Sequence, residues 1–195
     1  MSEPYARLAW PVKLEPRVGG GLNPTYWPGL DKAFGTAQDL PAMRMDAPQE
    51  RLVRPLPGVP AGASSFMVTA TVEFQGANAA GIQFGQSGTQ PGFAVELRPQ
   101  EAPAGQMSLV APSGNAIQTR HWPLPKSTHR LRLIVVEQMV DVYVDDVLVI
   151  NRCVPELRPG PIGLAARGGS VAFKEIHATC RNRLISKPVT TERSR

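Results

Sequence analysis

Two cysteines in 195 residues, Cys153 and Cys180, are too few for a disulfide framework. No apolar run approaches the roughly 18 residues needed to cross a bilayer, so no membrane partner is expected. The opening MSEPYARLAW lacks a basic segment followed by an apolar one, so no signal peptide is visible. A cytoplasmic protein with two free thiols is the expectation, although a bridge stays open because both cysteines lie at ends of predicted strands. His121, His129 and His177 show no H-x-x-x-H spacing and neither cysteine has a C-x-x-C partner, which argues against structural zinc. G-x-S-x-G is absent, and with it the usual nucleophile turn. GQSGTQPG and RVGGG are glycine-rich, yet neither follows a strand and opens a helix, so neither cradles phosphate.

Charge is in excess but unorganised. The net charge is +5, and the surplus sits in the tail RNRLISKPVTTERSR and in scattered single arginines. No basic stripe interleaved with aromatics is visible, nor any zinc-finger or helix-turn-helix spacing, so no nucleic-acid partner is expected.

Proline and glycine, by contrast, are plentiful: 20 and 18 residues. They interrupt the chain too often for long helices and favour short strands joined by turns. Residues 1–60 are Pro/Gly-rich without a sustained period, which reads as an extended arm with one or two short strands. A short helix around Leu30 to Phe34 fits there, with Pro28 in its first turn. Trp10 and Trp27 lie in this arm and are expected to dock on a neighbouring surface. From Ser65 the chain reads as about ten short strands: FMVTATVEF, AGIQFG, GFAVELR, QMSLVA, AIQTRHW, HRLRLIVVE, MVDVYVDD, VLVIN, IGLAA and SVAFKEIHA. In the first, Phe66, Val68, Ala70, Val72 and Phe74 share one face. The expected organisation is an arm over 1–60, an all-β antiparallel sandwich over 61–180, and a basic flexible tail over 181–195.

VDVYVDDVLVIN poses the sharpest question. Val140, Val142 and Val144 share one face, and Asp141, Tyr143 and Asp145 the other. Asp145-Asp146 falls where the alternation restarts, and aspartate tolerates the left-handed dihedrals of a tight hairpin. Adjacent turn carboxylates point apart, whereas a glycosidase pair must converge across a cleft. A hairpin corner is therefore expected.

That hairpin, a Pro/Gly loop and GPIGLAARGGSVAFKEIHA together resemble the closing strands of concanavalin A-like (jelly-roll) sandwich modules. The matching residues are Gly160, Ile162, Gly163 and Leu164, then Phe173, Glu175 and Ile176. VDVYVDD is similar to a strand in the C-terminal sandwich of family 32 glycoside hydrolases, the invertase and fructanase group. The 3-keto-disaccharide hydrolase-like domain is the second resemblance. The first implies a two-sheet jelly roll that is not catalytic alone, because the three acidic motifs of the family's propeller are missing. Such a module stabilises a catalytic partner domain or helps hold a carbohydrate. The second implies a free-standing glycoside hydrolase. A structural module that forms homo-oligomers is the third reading.

Glu73, Glu96, Asp141 and Glu175 are the strand carboxylates open to acid–base work, against the default of a solvated face. Sandwiches of the resembled superfamily often hold calcium, and Asp145 or Asp146 would be its ligands here; otherwise no cofactor is expected. A sugar needs an aromatic platform fringed by polar groups. Arg120, His121 and Trp122 at a strand end, and Tyr143 on the polar side of its strand, are the candidates. Edge capping by Trp122 and packing of Tyr143 beneath the arm are the competing roles.

Overall fold

The computed structural model describes residues 11–180 apart from 18, 61, 86–91, 101–104 and 125–126. Among them the chain forms fifteen strands. Five short ones come first: β1 (Lys13–Pro16), β2 (Leu22–Thr25), β3 (Gln38–Leu40), β4 (Met43–Ala47) and β5 (Leu52–Pro55). Ten follow: β6 (Ser65–Gln75), β7 (Ala79–Phe84), β8 (Phe93–Arg98), β9 (Gln106–Val110) and β10 (Ala116–His121), then β11 (Thr128–Val136), β12 (Met139–Val144), β13 (Val147–Cys153), β14 (Gly163–Arg167) and β15 (Gly169–Cys180). Each of the ten runs expected from Ser65 onward is found.

Alternation sends one side of each strand into a shared interior. Val68, Ala70 and Val72 of β6, Leu131 and Leu133 of β11, and Val140, Val142 and Val144 of β12 form one wall. Ile82, Val95, Leu97, Met107, Leu109 and Leu164 form the other. The first wall belongs to a nine-stranded sheet ordered β1-β2-β13-β12-β11-β6-β15-β3, with β4 also paired to β15. The second belongs to a six-stranded sheet ordered β10-β9-β8-β7-β14-β5. The named strands pair antiparallel throughout. The protein is a two-sheet antiparallel β-sandwich.

Before residue 60 the structure departs from the expectation of one or two strands. The five found there are three to five residues long, too short to display a period. β1, β3, β4 and β5 lie at sheet edges, where proline is tolerated, and β2 joins β1 to β13. The β1–β2 hairpin extends the large sheet through Thr25 opposite Val147, β3 and β4 share the edge of β15, and β5 closes the small sheet at β14. A 3-10 turn (Pro28–Leu30) runs into the single-turn helix α1 (Asp31–Phe34), where a short helix was expected. Leu30 and Phe34 pack with Tyr26, Met67, Ile134 and Tyr143 on the outer face of the large sheet. Trp27 does not dock: 46% of its surface is exposed. Trp10 lies outside the described residues.

The residues of the GPIGL and FKEI motifs acquire physical reasons. A Cβ on Gly163 would stand 2.7 Å from the Arg54 carbonyl oxygen, so close strand approach excludes a side chain. Phe173 and Ile176 are buried in the core, while Glu175 occupies a β-bulge at φ 47° and accepts a hydrogen bond from Thr71 Oγ1 at 2.7 Å. A disulfide is excluded by topology. Both thiols are free, and β12, β11 and β6 separate the strands that carry them, roughly 19 Å of sheet.

Packing predicts unequal costs for two leucines. Leu133→Ala, at a fully buried wall position, should lower the unfolding free energy by about 2–5 kcal/mol. Leu14→Ala, on the exposed hairpin, should change it by less than about 0.5 kcal/mol. Urea denaturation of the two variants measures both.

Candidate functional site

The site grows from the β12–β13 hairpin. Asp145 (φ 50°) and Asp146 (φ 64°) are both left-handed, the geometry of a two-residue type I′ loop. Their carboxylates diverge onto the basic side chains of β11. Asp145 Oδ2 lies 2.8 Å from His129 Nδ1, and its other oxygen accepts the Arg130 backbone N–H at 2.9 Å. Asp146 accepts from Arg132 at 2.6 Å and pairs with Arg130 at 3.6 Å. The aspartate pair is thus a corner, as its spacing indicated.

The same turn captures the N-terminal segment. The Tyr26 backbone N–H donates to the Asp146 carbonyl at 2.8 Å, and the Arg132 guanidinium lies 3.5 Å over the Tyr26 ring. Tyr26 O–H donates to Asp31 and its ring meets Tyr143 edge-on at 5.6 Å. Tyr143 is consequently fully buried and offers no face to a ligand, which removes it as a sugar platform. Its side of β12 alternates as a polar face, but the short helix and Tyr26 cover that face. Burial pushes both phenols well above the ordinary tyrosine range.

On one side of the turn lies a cavity of about 380 Å³. Trp122, Val144 and Val147 supply its apolar wall, and Arg17, Asn23 and Asp145 its polar fringe, with His129 behind Asp145. Trp122 is half-buried and also packs on the sandwich core. Arg120 and His121 are exposed at the end of β10 and do not line this cavity. Arg17, Asn23 and His129 were not singled out from sequence. The first two arrive because the β1–β2 hairpin folds against the turn, and nothing in RVGGGLNP signals that docking. On the other side of the turn, a second cavity of about 380 Å³ is bordered by Lys13, Glu15, Arg130, Arg132 and Asp146.

Calcium has no ready set of ligands at the turn. Both carboxylates are already engaged by β11, and among the described residues no three His, Cys, Asp or Glu side chains gather as a metal site. The strand carboxylates are held separately. Glu73 pairs with Lys174 at 2.5 Å, a contact that holds its carboxyl below the usual range. Glu96 lies between Arg51 and Arg98, and Glu175 sits in its bulge. Asp141, 2% exposed, accepts from Asn151 at 2.5 Å. Burial pushes its carboxyl from 3.8 up to about 6, against the opposing pull of Asn151.

No protein-family model and no curated protein matches this sequence. Among solved structures, it superposes on a β-fructofuranosidase of Aspergillus kawachii with a TM-score of 0.62 and 16% identity over 83% of this chain and 30% of that one. A fructosyltransferase of A. japonicus matches at 0.57 and 15% identity, over 76% of this chain and 27% of that one. A carbohydrate binding module of Bacillus subtilis matches at 0.58 and 13% identity, over 73% of this chain and 94% of that one. The chain spans under a third of the two enzymes but nearly all of the binding module. At these identities the likeness establishes the fold alone, a two-sheet β-sandwich.

Asp141 generates a pH prediction. Its folded pKa near 6 exceeds its ordinary 3.8, so the folded state holds the proton more tightly and stability falls as pH rises from about 4 to 6. Above both values the penalty is complete, at most about 3 kcal/mol. Asp141→Asn should therefore raise the melting temperature at pH 7.5 and flatten the decline between pH 4 and 6. Thermal scans across that range check it.

Proposed function

We propose that this chain is a non-catalytic, jelly-roll carbohydrate-binding module that works beside a glycoside hydrolase domain. The observation that carries the reading is the Trp122 cavity, where an aromatic ring meets Arg17, Asn23 and Asp145. Sugars present an apolar face edged with hydroxyls, and this combination of surfaces matches them. The likeness to a binding module, and to two enzymes whose chains extend well beyond the shared sandwich, supports the same reading.

A free-standing hydrolase of the 3-keto-disaccharide type is the alternative. Acid–base hydrolysis would ask for two carboxylates facing one cleft. Asp145 is the carboxylate lining the Trp122 cavity, and it is committed to His129 and the Arg130 amide. This arrangement favours binding over chemistry.

Calorimetry with levan, inulin and sucrose tests the proposal. At least one should bind, with Trp122→Ala weakening it about tenfold or more, and none should be hydrolysed. No binding of any of the three, or binding indifferent to Trp122, would remove the reading. Release of reducing sugar by the chain alone would favour the hydrolase.

A further inference from the structure

The outer face of the six-stranded sheet carries a transverse row of long basic and polar side chains. Leu52, Leu97, Met107 and Ala166 point into the sandwich, so their neighbours Arg51, Arg98, Gln106 and Arg167 point outward. Strand register sets these side by side. Arg167 lies opposite Ala79, Arg98 opposite Gln106, and Gln106 opposite His121. Leu52 pairs with Ala166, which puts Arg51 beside Arg167, and Ala80 pairs with Leu97, which puts Ala79 beside Arg98. The row therefore crosses all six strands, a span of roughly 24 Å.

Next to it runs a parallel row of mostly small residues, Ala165, Gly81, Glu96, Ser108 and Thr119. A Cβ on Gly81 would fall 1.8 Å from the Val95 carbonyl oxygen, so this floor stays low. Glu96 is the acid within it, its side chain 4% exposed. One of its oxygens takes Nε and Nη2 of Arg51 at 3.0 and 2.6 Å, and the other takes Nε and Nη2 of Arg98 at 3.2 and 2.7 Å. Burial pushes the Glu96 carboxyl up, but the two guanidiniums outweigh it and hold the pKa below the usual range.

A strut tying β5 to β8 explains the Arg51–Glu96–Arg98 cluster, but not the rest. Three guanidiniums face one carboxylate, a local charge of 3 − 1 = +2. Arg51 and Arg98 each bind Glu96 through Nε and Nη2, and each side chain keeps about a quarter of its surface exposed. The side chain of Arg167, pointing out between them, has no hydrogen-bond or ion-pair partner among the described residues. Fold stability does not call for two uncompensated positive charges held together, and such an array attracts anions.

We propose that this face binds an extended anionic polysaccharide bearing uronate carboxylates. Arg167 and the outer edges of Arg51 and Arg98 receive the carboxylates, and Gln106 meets hydroxyls, while Glu96 holds two of the guanidiniums in place. A nucleic acid fits less well, because neither row contains a Phe, Tyr or Trp on which bases would stack. The site is separate from the Trp122 cavity and does not depend on it.

The probe is polygalacturonate, titrated into the full chain in low and high salt, with inulin and single-stranded DNA run in parallel. Polygalacturonate should bind in low salt and weaken as salt rises. Arg167→Ala should cost about tenfold in affinity, one charge-assisted hydrogen bond, at unchanged melting temperature. Arg98→Gln should weaken binding as well, whereas Trp122→Ala should leave it intact. Three results would overturn the proposal: no binding in low salt, unaltered affinity in Arg167→Ala, or DNA bound as tightly as polygalacturonate. A failure confined to neutral sugars would count against the Trp122 reading and leave this one standing.

Discussion

Arg132 is the side chain on which the N-terminal segment and the sandwich meet. It is 6% exposed, and an isolated buried guanidinium would be costly. Three neighbours compensate it: Asp146 at 2.6 Å, Thr69 Oγ1 at 3.3 Å, and the Tyr26 ring at 3.5 Å. Each comes from a different part of the chain. Asp146 is held by the left-handed turn, Thr69 by the central strand β6, and Tyr26 by the segment that leads into α1. Satisfying one charge therefore fixes the hairpin corner, the covering of Tyr143 and the entry path of the first strands together.

The cavities follow from that arrangement. With Tyr26 anchored to Asp146, the β1–β2 hairpin lies beside the turn, bringing Arg17 and Asn23 toward Trp122 on one side and Lys13 and Glu15 toward Arg130 on the other. The carboxylates of Asp145 and Asp146 hold β11 to the turn. They serve geometry, and the ligand chemistry proposed for the Trp122 cavity is borne by an aromatic ring with polar neighbours around it. The two sheets differ accordingly. The large one buries the part of its outer face around Met67, Ile134 and Tyr143 beneath Tyr26, Leu30 and Phe34, while the small one carries arginines in a row on its own.

Much of this fold could be read from the sequence, because long strands with one buried face announce themselves. The alternation of β6 and β12 places Val68 and Val142 in the core with no knowledge of what they touch. The Asp145–Asp146 corner was legible for a similarly local reason, since a two-residue break in alternation leaves few backbone choices. Tyr143 was not. Its position in the alternation is that of a solvated residue, and its burial depends on a helix more than a hundred residues earlier in the chain. The first five strands were hidden by their brevity and their prolines. The row from Arg51 to His121 was hidden more thoroughly, for its members are scattered along the chain and become neighbours through strand register.

The central claim is that Tyr26 is locked to the hairpin corner and is not merely resting on it. Amide hydrogen exchange at Tyr26 measures this most directly, because its N–H is the donor to the Asp146 carbonyl. Exchange as slow as that of the β11–β12 ladder is the predicted result. Exchange as fast as that of an unprotected peptide, in a protein whose central strands remain protected, would show that the segment comes away freely and that the cavities beside the turn are not fixed features of the fold.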